Sequence, residues 1–205
     1  LSDPAQLSPS GKTALYGAAA LVAAFELYAA WLGLHPSVTD SYRAYFIDQT
    51  TTCLDQPSAG AYQFGRLVSF RSGDEKASKP LRVCGWEGPV GDGLHAVGES
   101  SRLRFALPAD ASGLTLMLEM VAVDFAPNGI QQVSVVVNGR TLDTLIVRKG
   151  TPQRFTLAVP DTALGTDHQL DVELRYPLAI RVDPQDSNTR KRSIKLTAGQ
   201  VTGIA

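Results

Sequence analysis

Residues 13–34 read TALYGAAALVAAFELYAAWLGL, and nothing else in the chain constrains the fold as much. Twenty-two residues at 1.5 Å each make about 33 Å of helix, against a hydrocarbon core of about 30 Å. The segment has eight alanines and one charge, Glu26, near its middle. Placing a carboxylate there costs roughly 2.5–3.5 kcal/mol, which Leu15, Leu21, Val22, Phe25, Leu27, Trp31, Leu32 and Leu34 can offset. The leading reading is a single-pass transmembrane helix lying in a lipid bilayer. A cleaved signal peptide fits less well, because Leu34-His35-Pro36 does not resemble a small-x-small cleavage site. A soluble core or interfacial helix is the third reading, but the stretch lacks the polar face an interfacial helix needs. Glu26 favours a protein partner over lipid, and Gly17, Ala20 and Ala24 allow close helix approach. The bland alternative is that Glu26 is merely tolerated. Lys12 weakly favours a cytoplasmic N-terminus, but Arg43 lies on the other side within reach, so the charge rule hardly decides the orientation.

Beyond the helix the periodicity changes from 3.6 to two. Residues 1–12 form a polar flank, 35–60 a linker with a first strand region, and 61–205 the main domain. Strands are expected at 62–70, 80–86, 101–108, 114–123, 133–139, 141–147, 154–160, 170–177 and 193–202, with a glycine-rich loop at 87–99. Asn138-Gly139 marks a hairpin turn, and 161–168 a polar connector. Alternation of this kind gives each sheet one dry and one wet face, so the fold class is all-β: a two-sheet β-sandwich or jelly roll preceded by the N-terminal helix. Lys plus Arg is 19 and Asp plus Glu is 20, so no nucleic-acid partner is expected.

The chemistry-bearing motifs are sparse. GxSxG, HExxH, CxxC and a phosphate-binding glycine loop are all missing, so neither an enzyme nor a cofactor is expected. His95 lies near Asp92 and Glu99, but a surface histidine is the plainer reading. Asp124, Asp161 and Asp167 suit calcium chemically but lack a calcium-loop spacing. Cys53 and Cys84 are the only cysteines. In an oxidising compartment they would pair, stabilising by roughly 3–4 kcal/mol in the chain-entropy view; two buried thiols are the alternative.

The stretches YQFGRLVSF, CGWEGPVGDGLHAVGESSRLRFALP, VVVNGRTLDTLIV, RFTLAVPDTALG, LDVELRYPLAIRV and DSNTRKRSIKLTAG together resemble a bacterial module. It is the carbohydrate-binding-like β-sandwich at the C-terminal end of multi-pass membrane glycosyltransferases and envelope polysaccharide proteins. The chain keeps Gly85, Trp86, Pro89, Gly91 and Gly98 of its tryptophan-glycine stretch, with His95 near the place of a second aromatic. The resemblance implies an exported accessory domain, and with the cysteine pair it implies a bacterial inner-membrane anchor with the β-domain in the periplasm. The leading functional expectation is a non-catalytic accessory subunit whose partners are integral membrane protein subunits. The alternative is binding of a cell-envelope glycan, for which Trp86, Tyr62 and Tyr176 are the aromatic candidates.

Overall fold

A computed structural model describes residues 9–39, 42–47, 53–54, 58–183, 185 and 190–204. Residues 1–8 of the expected 1–12 flank and parts of the expected linker lie outside the described residues, and residues 9–12 of that flank are helical. The chain divides into two compact units, Leu1–Thr39 and Asp40–Ala205.

The first unit is helix α1, Pro9–Leu34. Its alanines and leucines favour helix, and it stops just before Pro36, whose ring disfavours helical backbone at the preceding residue. His35 N donates to Trp31 O at 2.9 Å, and the two rings stack with centroids 5.0 Å apart. Leu21, Phe25 and Leu27 are at least 70% exposed. Residues 12–34 have the length and composition of a membrane span, and a signal sequence would satisfy the same description.

The second unit is a sandwich of two antiparallel sheets. One contains β1 (Val68–Ser69), β3 (Leu94–Val97), β5 (Ser112–Ala122), β8 (Gln153–Ala158), β10 (Ile180–Arg181) and β11 (Lys191–Ile204). Its order is β1-β11-β5-β8, with β3 and β10 also pairing along β11. The other sheet runs β2 (Arg82–Cys84), β4 (Ser100–Ala106), β9 (Gln169–Arg175), β6 (Ile130–Val137), β7 (Arg140–Arg148). Alternation in the sequence places Leu103 and Phe105 of β4, Leu170, Val172 and Leu174 of β9, and Val133, Val135 and Val137 of β6 on the dry side. They join Leu116, Leu118 and Met120 of β5 and Ile194, Leu196 and Val201 of β11 in a single core. Each fully buried side chain of this size is worth about 1.5–3 kcal/mol, which makes the inter-sheet layer the main stabilising element.

Three expectations need correction. The strand expected over 62–70 contracts to β1, because Arg66 N donates to Gln63 O at 3.0 Å and Gly65 takes a φ of 79°, which turns the chain. The expected loop at 87–99 contains β3, four residues between Gly93 and Gly98, too short for alternation to show. Strand β10 lies in a stretch the periodicity left unassigned. The Asn138-Gly139 turn is as expected: both residues have positive φ and Val137 pairs with Arg140 across it, the geometry of a two-residue hairpin.

Candidate functional site

A cleft of about 560 Å³ opens beside β2. It is built by a short run of chain. Helix α2 (Glu75–Ser78) leads into a 3₁₀ turn, Lys79–Leu81, in which Pro80 supplies the fixed φ that a tight turn needs. Strand β2 follows, and Gly85 ends it at a φ of 76°. A side chain at Gly85 would meet Ser100 O at 2.3 Å, so only glycine lets β2 lie this close to β4 before the chain turns into Trp86. Ser58 Oγ donates to Pro80 O at 2.6 Å, closing the far wall. Cys84 lines the cleft and is joined to Cys53 by the expected disulfide, whose Cα atoms are 4.7 Å apart.

Trp86 forms one wall. Its indole N–H donates to Arg102 O at 2.8 Å, its backbone bridges to Ala96, and the half-buried side chain packs on the core. Lys79 and Arg82 supply the charge, and among the described residues the lining has no acidic side chain. Neither cation has an ion-pair partner among the described residues. Arg82 Nε is buried without a hydrogen-bond partner. Burial holds the Arg82 pKa below its usual value, with Glu75 acting against that from a distance. The Glu75 carboxylate accepts the Gly73 N–H at 3.0 Å.

The exposed face of β4, β9 and β6 is polar in a different way. Register puts Arg102 opposite Glu173, Arg104 opposite Asp171, and Arg175 between Ser100 and Ser134. Arg104 binds Asp171 through both ends of its guanidinium fork, at 2.5 and 2.7 Å, and gives a third bond to Ser58 O at 3.1 Å. Arg175 binds Glu173 at 2.9 Å, and that contact raises the Arg175 pKa. Two smaller hollows on this face share Glu173 and Arg175. At the edge of β11, Lys195 binds Asp92 at 2.7 Å, Arg192 binds Glu87, and Lys191 binds Glu99.

The sequence-derived candidates separate accordingly. Trp86 lies at the cleft. Tyr62 does not: its O–H donates to Arg66 O at 2.6 Å, it accepts Val201 N–H at 3.0 Å, and its ring stands edge-on to Phe105. Tyr176 is 1% exposed and its hydroxyl is bonded to Ser101 Oγ, so its ring has no free surface for a sugar. Burial pushes the Tyr176 hydroxyl pKa well above the tyrosine range. On a regular helix at about 100° per residue, Glu26 points about 180° away from Gly17. Ala20 and Ala24 stand on the Gly17 side, so the four residues expected to contact one partner do not form one surface along the unbroken α1. His95 contacts Asp92 at 3.5 Å. Among the described residues no three His, Cys, Asp or Glu side chains gather as a metal ion would require, and Asp124, Asp161 and Asp167 are not brought together. Sequence reasoning missed Ser58, Lys79 and Arg82. The one signal available was the Lys79-Pro80-x-Arg82 run just before Trp86, an ordinary turn by composition.

No family model and no curated protein sequence matches the chain. Solved structures with a similar arrangement include the CBM36-1 domain of a multidomain xylanase from the hindgut metagenome of Trinervitermes trinervoides. That likeness has 13% identity, a TM-score of 0.41, and covers 68% of this chain and 98% of that one. A xylan-binding module, CBM15, matches at 8% identity and a TM-score of 0.37 over 72% and 88% of the two chains. The ANXUR2 extracellular domain from Arabidopsis thaliana has 12% identity and the same TM-score, over 55% of this chain and 32% of that one.

Proposed function

We propose that this chain is a membrane-anchored glycan-binding accessory module, with the sugar seated in the Trp86 cleft and the β-domain held outside the cytoplasm by α1. The observation that carries the reading is the half-buried Trp86, held by its N–H bond to Arg102 O and lining a cleft together with hydrogen-bonding groups. A sugar ring has an apolar C–H face and a polar rim. A clamped aromatic wall beside Ser58, Lys79 and Arg82 matches both, and an aromatic immobilised beforehand loses little entropy on binding. The resemblance to the β-sandwich of membrane glycosyltransferases supports the same reading. So does the disulfide, which belongs to an oxidising compartment. The test is affinity electrophoresis of the full chain in mild detergent through gels containing cell-envelope polysaccharide. Retardation is expected, with at least a tenfold weaker interaction for Trp86→Phe at elevated temperature or Trp86→Ala at any temperature at which the variant stays folded. Mobility unchanged by every polysaccharide, with the protein folded, would defeat the proposal.

A second reading, that the chain is an assembly subunit of a larger membrane complex, is favoured by Glu26 alone. A carboxyl group mid-helix is poorly served by lipid and gains from a protein neighbour. Under that reading Glu26→Leu inserts at least as well as the natural chain but loses co-purifying integral membrane proteins, and Glu26→Gln falls between. Equal recovery of partners from all three forms would mean that the helix is only an anchor.

A further inference from the structure

We infer that the Trp86 cleft selects acidic glycans, with Lys79 and Arg82 clamping a sugar carboxylate while the ring of that sugar rests on Trp86. This deepens the glycan-binding reading and rests on it.

Three observations converge. First, among the described residues the cleft lining contains two cations and no anion, and neither cation has an ion-pair partner. Elsewhere on the domain several cations are paired: Arg104 with Asp171, Arg175 with Glu173, Arg192 with Glu87, Lys195 with Asp92. Secondly, Arg82 Nε is buried with its hydrogen-bonding capacity unused. A buried donor without an acceptor carries a desolvation penalty, and an arriving carboxylate relieves it. Arg presents a planar fork suited to two carboxylate oxygens, and Lys adds a mobile point charge. Thirdly, the cations share the cleft with the Trp86 wall, so one ligand must satisfy an apolar face and an anionic group together. A uronic acid does this: its carboxylate projects from the edge of a ring whose C–H face is free to stack. A neutral sugar leaves Arg82 unsatisfied, and a bare anion leaves Trp86 uncovered.

Selectivity should follow the charge. Charge-assisted hydrogen bonds are about twice as strong as neutral ones, and those made in a partly dry cleft are screened less by salt. The experiment uses the full chain in mild detergent and isothermal titration with two probes that differ only in charge: tetragalacturonate and its fully methyl-esterified form. The acid is expected to bind at least tenfold more tightly at low salt. Arg82→Gln and Lys79→Gln should each weaken the acid about fivefold or more and leave the ester unchanged. Lys149→Gln, on an exposed turn away from the cleft, serves as the control for unspecific attraction and should change neither. Vesicles of anionic phospholipid are a third arm. Binding of vesicles that is lost in Arg82→Gln, with no binding of tetragalacturonate, would reassign the cations to a lipid headgroup and overturn the inference. Equal affinity for acid and ester would overturn it too while leaving glycan binding standing. Binding of neither probe, nor of any other polysaccharide, would remove both.

Discussion

Arg82 and Arg104 stand on neighbouring strands of one sheet, and the fold treats them in opposite ways. On the β4–β9–β6 face Arg104 is held by both oxygens of Asp171 and by Ser58 O. Its charge is spent inside the domain, fixing the register between β4 and β9. In the cleft Arg82 has a buried Nε and no partner among the described residues. The domain has met the cost of drying that nitrogen without receiving the matching bond. A charge that is neutralised internally is a structural part; one desolvated and left open is set up for something that arrives later.

The largest effect that bears on this contrast comes from the disulfide, which ties the strand carrying the cleft. Replacing Cys53 and Cys84 together with Ser should lower the unfolding free energy by roughly 3–4 kcal/mol, read as a shift in the urea midpoint. It should also weaken glycan binding, because Cys84 lines the cleft. A loss of stability with full binding would mean that the β2 wall holds its shape unaided.

The arginines themselves come next. Asp171→Asn leaves Arg104 with half its fork unmatched. Both side chains are partly exposed, so the expected loss is only about 1 kcal/mol, and acidic-sugar affinity should not change. Arg82→Met removes an unsatisfied donor but keeps most of the stem volume, so stability should stay level or rise by up to about 1 kcal/mol. If Arg82→Met destabilises as much as Asp171→Asn, the contrast between the two regions is lost.

The smallest effect is a pH dependence in the β11 edge pairs. The bond from Arg192 holds the Glu87 carboxyl below its usual 4.5, and the bond from Lys195 holds Asp92 below its usual 3.8. Both folded-state values are depressed, so their contribution is complete above the unfolded values. It fades as pH falls through the carboxylate range towards the folded ones. Both pairs are about half exposed on the acid side, so the sum should stay under about 1 kcal/mol. Urea midpoints between pH 3 and pH 6 should fall with acidification, and less steeply in Arg192→Gln. An identical slope in that variant would show that the pair does not contribute.

The sandwich was legible because its strands are long enough for alternation to repeat. Phe105, Leu170, Val172 and Leu174 declare a dry face by spacing alone. Strands β3 and β10 escaped and β1 was expected too long, since each is too short to complete a pattern and pairs along β11. The site was less legible. Trp86 could be named from composition, but so could Tyr62 and Tyr176, and only the fold shows that Trp86 lines the cleft, Tyr62 is half-buried elsewhere and Tyr176 is buried. Lys79 and Arg82 carried no signal, because whether a cation is paired depends on residues far away in sequence. In α1 the small residues and the carboxylate are visible in the sequence, and the angle between them follows once the helix is unbroken from Pro9 to Leu34.

Strand β11 runs from Lys191 to Ile204 in the middle of its sheet and pairs with four other strands. Val68 meets Gly199 across this strand, so a pairing begun early in synthesis is completed only by residues made about 130 positions later. At ribosomal rates of roughly 5–20 residues per second, the nascent domain spends seconds with one edge of β5 unpaired. Until Lys191–Ile204 is made, that eleven-residue edge is the place where a wrong strand can add, so the last strand to be synthesised is also the one that closes the domain to mispairing.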